Sequence, residues 1–419
     1  MTKKLAIIGN GTAGSLAVPH FIKHTSWEVE WYYDPKIPPQ AVGEGSNLVM
    51  PRALHATLGF YHQDLDKING SFKNGIFKSG WADGHDFFHG FMPPYVGYHF
   101  NANALQKYIL EKLSTEPKLT ITEQNVDNDT IDADFILDCS GKPSDYTEYN
   151  LLDSIPVNSV HVTQCFWEYP QFQHTLTIAR PYGWVFGIPL QHRCSIGYLY
   201  NNNINTLDEV KEDIKAIFEQ YKLTPSDTTN SFTFKNYYRK KNFTGRVVYN
   251  GNASFFLEPL EATSISTMDA IQRRAFDFWD GNKTMYQVNQ EYTSLLREIE
   301  NVIMLHYSTG SIYDTPFWSM AKERGEKNFN EARSNPNFIK MVELSKKYKH
   351  GDDYQQEYGS WGVNAFYQNL SNLGLYKYKM NIEETLSKKM QENHRIYAVD
   401  ELIYKYLSTF LTFKDSHDI

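Results

Sequence analysis

The hydrophobic pattern of the N-terminal residues changes period twice. The run "KLAII" is continuously apolar, "GTAGSLAVPHFIKH" repeats apolar residues at helical spacing after a glycine-rich turn, and "WEVEWYYD" is a second apolar run that ends at Asp34. A buried strand, a glycine-rich turn, a helix and a second strand in this order are typical of a βαβ unit. We therefore predict that the chain opens with part of a parallel α/β sheet.

The remaining pattern predicts a second sheet and then helices. Residues 98–114 have the spacing of an amphipathic helix, and "DADFILDCSG" is a buried strand that resumes the first sheet. Residues 161–200 alternate and are rich in β-branched and aromatic side chains, which favours a mostly antiparallel sheet in a second layer. Beyond about Thr267 nearly all of the pattern is helical. Without an internal repeat or a long linker, one interwoven α/β unit is expected.

Charge and composition exclude several function classes. The 41 Lys and Arg are scattered among 49 Asp and Glu, and the net charge of -8 makes nucleic acid and anionic membranes poor partners. The apolar run near the N-terminus is too short for a signal peptide or a membrane span, so a cytoplasmic location is expected. Aromatic residues reach 15% of the 419 residues, and we expect some of them to line a ligand cavity.

Cysteine and histidine spacing argues against metal and acyl-transfer chemistry. Cys139, Cys165 and Cys194 lie far apart without a CxxC pair, so neither a disulfide framework nor a structural zinc site is expected. No His, Cys, Asp or Glu cluster has metal-ligand spacing, and no G-x-S-x-G motif is present. We predict a protein without a metal site.

The first turn carries the pattern G-x-G-x-x-G. Gly9 would form the tight turn, Gly11 would let a pyrophosphate approach the backbone, and Gly14 would let the helix pack on the strand. Asp34 lies 20 residues beyond Gly14, where an acidic side chain can accept a hydrogen bond from a ribose hydroxyl. Because a strand precedes the pattern and a helix follows it, we predict a dinucleotide-binding site.

Two further segments have both a structural and a functional interpretation. In "EPLEATSIS" a helix begins near Thr263, and its free N–H groups could bind an anion, although Glu261 more commonly only stabilises such a helix end. Lys73 would ordinarily be a solvated lysine beside a strand, whereas a functional role requires a buried ammonium. These residues alone leave both alternatives open.

Several separate stretches, in order, resemble flavin-dependent halogenases of the tryptophan-halogenase type. "GNGTAG" is similar to the FAD fingerprint, "VGEGSNLVMPRAL" to the V-G-E-A-T-x-P segment beside the flavin, and "NGSFKNGIFKSGW" to the stretch with the catalytic lysine. The other similar stretches are "DFFHGF", "LDCSG", "GWVFGIP", "FLEPLEATS", "HYSTGSIYDTPFW" and "GSWGVNAFYQNLSNLGLY", which ends near Tyr376. The resemblance implies a Rossmann-like, flavin monooxygenase-type FAD module over residues 1–280 and a helical region over residues 281–419 that covers the substrate site.

The resemblance also implies the cofactor and the partners. FAD would arrive reduced from a separate flavin reductase and, with O2, would oxidise halide to hypohalous acid, which passes through a tunnel to a small aromatic substrate. A homo-oligomer is left open. The implied cofactor-binding residues are Gly9, Gly11, Thr12, Ala13, Gly14, Asp34, Val42, Gly43 and Glu44.

The catalytic lysine of the family falls on Lys73 and not on Lys78. By this match Lys73 would hold the hypohalous acid, by hydrogen bond or as a haloamine, and Glu261 would polarise the halogen donor or take the ring proton. The backbone amides of Thr263 and Ser264 match the halide position. The implied substrate-contacting residues are His89, Phe91, Trp184, Phe186 and Trp361.

Departures from the family pattern bear on the substrate. Phe186 replaces the second tryptophan of W-x-W-x-I-P, and Ala262 and Ser264 alter the E-S-T-G motif. The chain is shorter than typical family members around residues 81–85 and 91–99, which implies a more open slot. We therefore expect phenols and indoles as substrates, and bromide and iodide used at least as readily as chloride.

The sequence leaves two other functions open. A flavin-dependent aromatic monooxygenase would give a hydroxylated product without halide and would have no use for a remote lysine. A non-catalytic flavin-binding protein would halogenate no arene and would be indifferent to the loss of Lys73.

Overall fold

The computed structural model describes residues 2–37, 43–91, 95–347 and 356–375. These residues form two compact units. The first unit comprises residues up to 70 together with 100–152 and 235–297, and the second comprises residues 71–99, 153–234 and those from 298 onward. The division at residue 280 that the sequence suggested stays a prediction.

Ten α-helices and twenty-one strands lie within the described ranges. The helices are α1 (Thr12–His24), α2 (Val49–Leu58), α3 (Ala102–Lys112), α4 (Leu207–Asp213), α5 (Lys215–Gln220), α6 (Ser264–Trp279), α7 (Met285–Ser308), α8 (Pro316–Ala332), α9 (Pro336–Lys347) and α10 (Val363–Asn372). The strands are β1 (Lys4–Ile8), β2 (Glu28–Tyr33), β3 (Gly43–Gly45), β4 (Ser71–Lys73), β5 (Gly75–Ser79), β6 (Phe87–Gly90), β7 (Gly97–Asn101), β8 (Leu119–Glu123), β9 (Phe135–Asp138), β10 (Tyr149–Leu151), β11 (Ser159–Phe166), β12 (Thr175–Arg180), β13 (Gly183–Pro189), β14 (Cys194–Tyr200), β15 (Thr224–Thr233), β16 (Tyr237–Arg239), β17 (Phe243–Thr244), β18 (Val247–Tyr249), β19 (Phe255–Phe256), β20 (Glu357–Tyr358) and β21 (Trp361–Gly362).

The first unit is built on a six-stranded sheet with the order β17-β18-β9-β1-β2-β8. Strand β1 pairs in parallel with β2 on one side and β9 on the other, so the sheet reverses direction of growth at β1. Such a reversal leaves a crevice at the carboxyl ends of the strands, where open α/β sheets bind their ligands. The predicted βαβ start and the return of the sheet at "DADFILD" are confirmed.

The second unit is built on a seven-stranded sheet with the order β15-β11-β14-β13-β12-β5-β6. Its pairs are antiparallel except for β12 with β5. This confirms the predicted mostly antiparallel second sheet, and helices α8 to α10 confirm the predicted helices within the described residues up to 375.

The two faces of strand β5 have different roles. Phe77 on β5 and Phe88 on β6 lie in the apolar core that α4 and α5 complete. Because side chains alternate along a strand, Ile76 and Lys78 point to the opposite face. The register pairs Ile76 with His89 and Lys78 with Phe87, so all four side chains share that face.

No helix within the described ranges has both the length and the apolar character needed to cross a bilayer.

Candidate active site

The glycine-rich turn of the first unit has the shape that a bound pyrophosphate requires. Gly9 has φ 97°, and a Cβ there would lie 2.3 Å from the carbonyl oxygen of Cys139. A Cβ at Gly14 would lie 2.0 Å from the carbonyl oxygen of Gly9. Gly11, in contrast, has nothing within 4 Å of its missing Cβ. Two glycines are therefore required for packing, and Gly11 faces open space where a ligand can approach.

Helix α1 starts directly behind this open position. Gly11 precedes the helix and offers no side chain to cap it, and the first intrahelical bond runs from the Ser15 amide to the Gly11 carbonyl at 2.9 Å. The amides of Thr12 and Ala13 therefore have no carbonyl of their own helix to bind. Such a helix start binds phosphate oxygens, so these residues fit the pyrophosphate of FAD.

Asp34 follows the last residue of β2 at the carboxyl edge of the sheet. One of its carboxylate oxygens, Oδ1, accepts a hydrogen bond from the amide of Lys36 at 2.9 Å, which orders the turn. This is the position at which an acidic side chain binds a ribose hydroxyl. Of the neighbouring predicted residues, Gly43 lies in β3 and Val42 lies outside the described residues.

Glu44 carries a perturbed carboxyl group beside helix α1. Both of its carboxylate oxygens lie 2.8 Å from the hydroxyl of Thr12. Burial raises the pKa of Glu44 to about 7, although the Thr12 hydroxyl, which donates to the charged form, opposes the shift. The predicted cofactor-binding residues Thr12 and Glu44 are thus in contact, and this carboxyl changes charge near neutral pH.

Glu261 lies in a strained turn. Its φ is 69° and that of Ala262 is 54°, so two successive non-glycine residues adopt the left-handed conformation. Such residues cost about 1 kcal/mol or more each and persist where the surrounding structure imposes them. Glu261 is also only 7% exposed. A glutamate that merely stabilised a helix end would be solvated, so the strain and burial favour the functional interpretation.

This turn leads directly into the N-terminus of helix α6. The Thr263 carbonyl accepts from the Thr267 amide at 3.0 Å and from the hydroxyls of Ser266 at 2.8 Å and Thr267 at 2.9 Å. Because Thr267 is the first residue of this helix to donate its amide within it, the amides of residues 264–266 precede the intrahelical ladder. Amides so placed attract an anion, and a halide fits this position.

Lys73 ends strand β4 in the second unit and is completely buried, with 0% exposure. Its strand partner is Gly97, and its Nζ lies 5.7 Å from the ring centroid of Phe91. The interpretation of Lys73 as a solvated surface lysine is therefore excluded. Burying an ammonium is costly without compensating interactions, which makes a lysine at this depth a functional candidate.

Three of the predicted substrate residues come together in the second unit as what we call the aromatic platform: His89, Phe91 and Trp361. The His89 ring centroid lies 6.0 Å from that of Phe91 and 6.3 Å from that of Trp361, and both pairs are edge-to-face. All three rings are less than 10% exposed. Edge-to-face rings at these distances attract one another, so the platform has a defined shape.

The other two predicted substrate residues belong to a different group of rings. Trp184 packs against Phe186 at 6.4 Å and against Trp81 at 6.5 Å. The Phe186 ring lies over its strand partner Gly197, where a Cβ would approach it to 2.1 Å. Trp81 contacts His306, which in turn contacts Trp361 at 5.8 Å. Trp184 is thus linked to the platform through two intervening rings.

Sequence reasoning missed four buried polar residues around the platform. Lys78 Nζ lies 2.7 Å from Nε2 of His306 and also donates to Oδ1 of Asn369. Gln368 accepts from the amide of Gly90 and donates to its carbonyl, each at 3.1 Å, and so extends the edge strand β6. The signal that could have found Lys78 is its alternation with Ile76, which places a lysine on an inward strand face.

Within the described part of the chain, no group of three His, Cys, Asp or Glu side chains is arranged to bind a metal ion.

Sequence relatives of the chain include tryptophan halogenases. Tryptophan 7-halogenase RebH of Lentzea aerocolonigenes is 25% identical over 319 residues, 66% of this chain and 58% of the relative. Tryptophan 6-halogenase ThaL of Streptomyces albogriseolus is 31% identical over 157 residues, 36% of this chain and 29% of the relative. The matched region therefore spans between about a third and three fifths of the length of these curated relatives.

Solved structures share the fold over nearly the whole chain. Xcc4156, a flavin-dependent halogenase from Xanthomonas campestris, superposes with a TM-score of 0.74 at 17% identity, covering 97% of this chain and 96% of the other. BrvH, a flavin-dependent halogenase from Brevundimonas sp. BAL3, has a TM-score of 0.72 at 16% identity, covering 98% and 99%. The fold class predicted from the sequence is confirmed.

A family profile matches most of the amino-acid sequence. The tryptophan halogenase family profile matches residues 4–127 and 112–375. Because this family is flavin-dependent, the prediction of FAD as the cofactor is confirmed at family level. The chain belongs to the tryptophan halogenase family.

Proposed function

We propose that this protein is an FADH2-dependent halogenase that acts on electron-rich aromatic small molecules, with phenols and indoles as the preferred class. The single observation that carries the proposal is the complete burial of Lys73 beside the aromatic platform. Reduced FAD with O2 supplies the two-electron oxidation of halide to hypohalous acid. A separate flavin reductase would supply the reduced cofactor by diffusion, and O2 and halide are the other reactants.

The first unit provides the groups for the halide. The amides at the start of α6, including that of Ser264, point away from the helix, and their partial positive charge would bind the anion. Backbone donors do not depend on side-chain identity, so the substitutions at Ala262 and Ser264 leave this mode of binding intact. Bromide and iodide are easier to oxidise than chloride, and we expect them to be used at least as readily. Glu261 is proposed to polarise the halogen donor.

The second unit provides the amine. The Lys73 amine would either donate a hydrogen bond to hypohalous acid or react with it to give a haloamine and water, an exchange in which the N–H bond is replaced by N–X. In either form the halogen is electrophilic. The arene takes the halogen, the Lys73 amine is regenerated, and the ring loses a proton. The burial of Lys73 would keep bulk water from consuming the reactive species.

The aromatic platform is proposed to hold the arene. Flat rings such as those of His89, Phe91 and Trp361 provide large apolar faces at low conformational cost. An electron-rich ring held there would be oriented for attack, and orientation is a major source of rate enhancement. The more open slot implied by the short segments near residues 81–85 and 91–99 favours varied phenols and indoles over a single amino acid substrate.

The test is a reductase-coupled assay with purified protein, each halide in turn and a panel of phenols and indoles, read by mass spectrometry. We expect mono-halogenated arenes in bromide, iodide and chloride, and none without halide. A hydroxylated arene in halide-free buffer would support the aromatic monooxygenase instead. A complete absence of halogenated and hydroxylated products, with flavin still bound, would support a non-catalytic flavin-binding protein.

A further inference from the structure

A buried polar cluster lies against the aromatic platform in the second unit. Its members are Lys78 on β5, His306 on α7 and Asn369 on α10, and each is 0% exposed. The Lys78 Nζ also lies 6.0 Å from the ring centroid of Trp361. Buried polar groups of this kind are stable only when their hydrogen bonds are satisfied. Each group in the cluster must therefore be the donor or the acceptor that its partner requires.

The hydrogen bonds define the orientation of the Asn369 amide. Its Nδ2 donates to the carbonyl of Ala365 at 2.9 Å, and its Oδ1 accepts from the Lys78 ammonium. A carbonyl can only accept and an ammonium can only donate. The nitrogen end of the amide is therefore the end that faces Nδ1 of His89 at 3.3 Å.

The same reasoning applies to His306. Its Nε2 lies 2.7 Å from the Lys78 ammonium and its Nδ1 lies 3.1 Å from the carbonyl of Val302. With Lys78 as an ammonium, Nε2 accepts and Nδ1 donates, which corresponds to the neutral imidazole with one proton. Lys78 thus requires an acceptor atom from each of these two neighbours, Oδ1 of Asn369 and Nε2 of His306.

We propose that Asn369 is a positioning residue that holds His89 as the neutral imidazole protonated on Nε2. An amide N–H that points at Nδ1 requires a lone pair there, which only this tautomer offers. Lys78 is the anchor of the arrangement, because it fixes the oxygen end of the amide. The significance for catalysis rests on the proposed function.

A neutral His89 suits electrophilic halogenation. When a halogen cation equivalent adds to an arene, the ring develops positive charge in the transition state, and an imidazolium in contact with it would raise the barrier. Among the described residues, the titratable groups linked to His89 by one shared contact include Lys78 through Asn369, His306 through Trp361 and Lys73 through Phe91. A further positive charge is unfavourable beside two lysines, so the cluster and the amide act in the same direction.

The test replaces the donor by an acceptor of the same shape. In Asn369→Asp the carboxylate would accept a hydrogen bond from His89, move its proton to Nδ1 and favour the imidazolium. The readout is 15N NMR of histidine-labelled protein, with the His89 signals assigned by their loss in His89→Asn. We expect an unprotonated Nδ1 and a protonated Nε2 in the parent chain, and a protonated Nδ1 in Asn369→Asp.

The kinetic readout separates positioning from structure. We expect Asn369→Asp to lower kcat for arene halogenation about tenfold near pH 6.5, with recovery at higher pH, while KM and the oxidation of reduced flavin change little. The matched control is Asn364→Asp, the same change on the same helix, whose oxygen already accepts from Gln368 at 3.0 Å. It should retain the parent pH profile.

The possible results distinguish the role proposed for Asn369 from the proposed function. A parent spectrum with His89 protonated on Nδ1, or doubly protonated at neutral pH, would overturn the role of Asn369, and it can be recorded even if Asn369→Asp does not fold. An identical pH profile in Asn369→Asp would overturn the catalytic significance. If the parent chain halogenates nothing, the proposed function fails, and the tautomer measurement still decides the structural inference.

Discussion

At the scale of single residues, the sequence indicated the positions of Glu44 and Glu261 but not their physical state. Glu44 and Glu261 were both identified from their motifs, but the physical state of each follows only from the fold. Burial gives Glu44 a pKa of about 7, and the backbone conformation of Glu261 is left-handed with φ 69°. Neither property has a local sequence signal, because each depends on segments distant in the chain.

Glu44 makes a prediction about pH and stability. Its pKa is raised from 4.5 to about 7 in the folded protein, so the folded state binds the proton more tightly and stability falls as pH rises from 4.5 to 7. Replacing Glu44 by Gln removes this cost. We expect Glu44→Gln to unfold at higher urea concentration than the parent at pH 8, with a gain of at most about 3 kcal/mol, and to lose the advantage at pH 4.5.

The matched control is Glu123→Gln, a carboxylate on strand β8 of the same sheet that accepts from Tyr33 at 3.2 Å. It should show no gain at pH 8. Equal stability of Glu44→Gln and the parent at both pH values would contradict the assigned pKa.

At the scale of elements, the turn before α6 is the most strained feature that bears on the proposed chemistry. Glycine adopts φ > 0 without a steric penalty, so Ala262→Gly should relax the turn and stabilise the protein by about 0.5–1 kcal/mol. We expect a simultaneous several-fold loss of halogenation, because Glu261 would lose its fixed direction. Thermal unfolding and the coupled assay measure the two effects.

The chain offers a control with the same residue type and the same conformation. Ala82 has φ 53°, and its amide donates to the Gly310 carbonyl at 3.0 Å. Ala82→Gly should stabilise the second unit to a similar extent and leave halogenation unchanged. If Ala262→Gly is as active as the parent, the strain is not part of the mechanism.

The elements also show which parts of the fold the sequence can predict. The β1-α1-β2 start was predictable because its glycines, its apolar runs and Asp34 lie within a short stretch of chain. The Lys78–Asn369 contact was not, since the two residues are 291 positions apart. No period or motif links a lysine on a strand to an amide on a distant helix. The residues of the aromatic platform were predicted by resemblance. Their edge-to-face geometry could not be predicted, because it depends on how distant segments fold together.

At the scale of the whole molecule, two histidines with lowered pKa predict sensitivity to acid. Burial, with the charges of His24 and Arg273, lowers the pKa of His20 from 6.5 to about 3, and burial with the charge of Lys73 lowers that of His99. A histidine whose folded pKa is depressed contributes stability above pH 6.5 that is lost as pH falls, by at most about 1.4 kcal/mol per pH unit. Two such histidines outweigh the opposite trend of Glu44.

We therefore expect the free energy of unfolding to decrease from pH 6.5 to pH 5. The slope should be smaller in His20→Asn, which cannot take up a proton. Urea titrations at several pH values measure this slope in the parent and in His20→Asn. A stability that is constant or rises toward pH 5 would contradict the lowered pKa of these two histidines.

The most direct test of the central claim is a comparison of the parent with Lys73→Met, which keeps an unbranched side chain of nearly the same length and removes the amine. With reduced FAD, O2, bromide and a phenol, we predict that Lys73→Met forms no brominated phenol, while flavin oxidation continues and an added scavenger traps free hypobromous acid. The exposed Lys322→Met serves as the control and should behave like the parent. Bromination of the phenol by Lys73→Met at the parent rate would contradict the account.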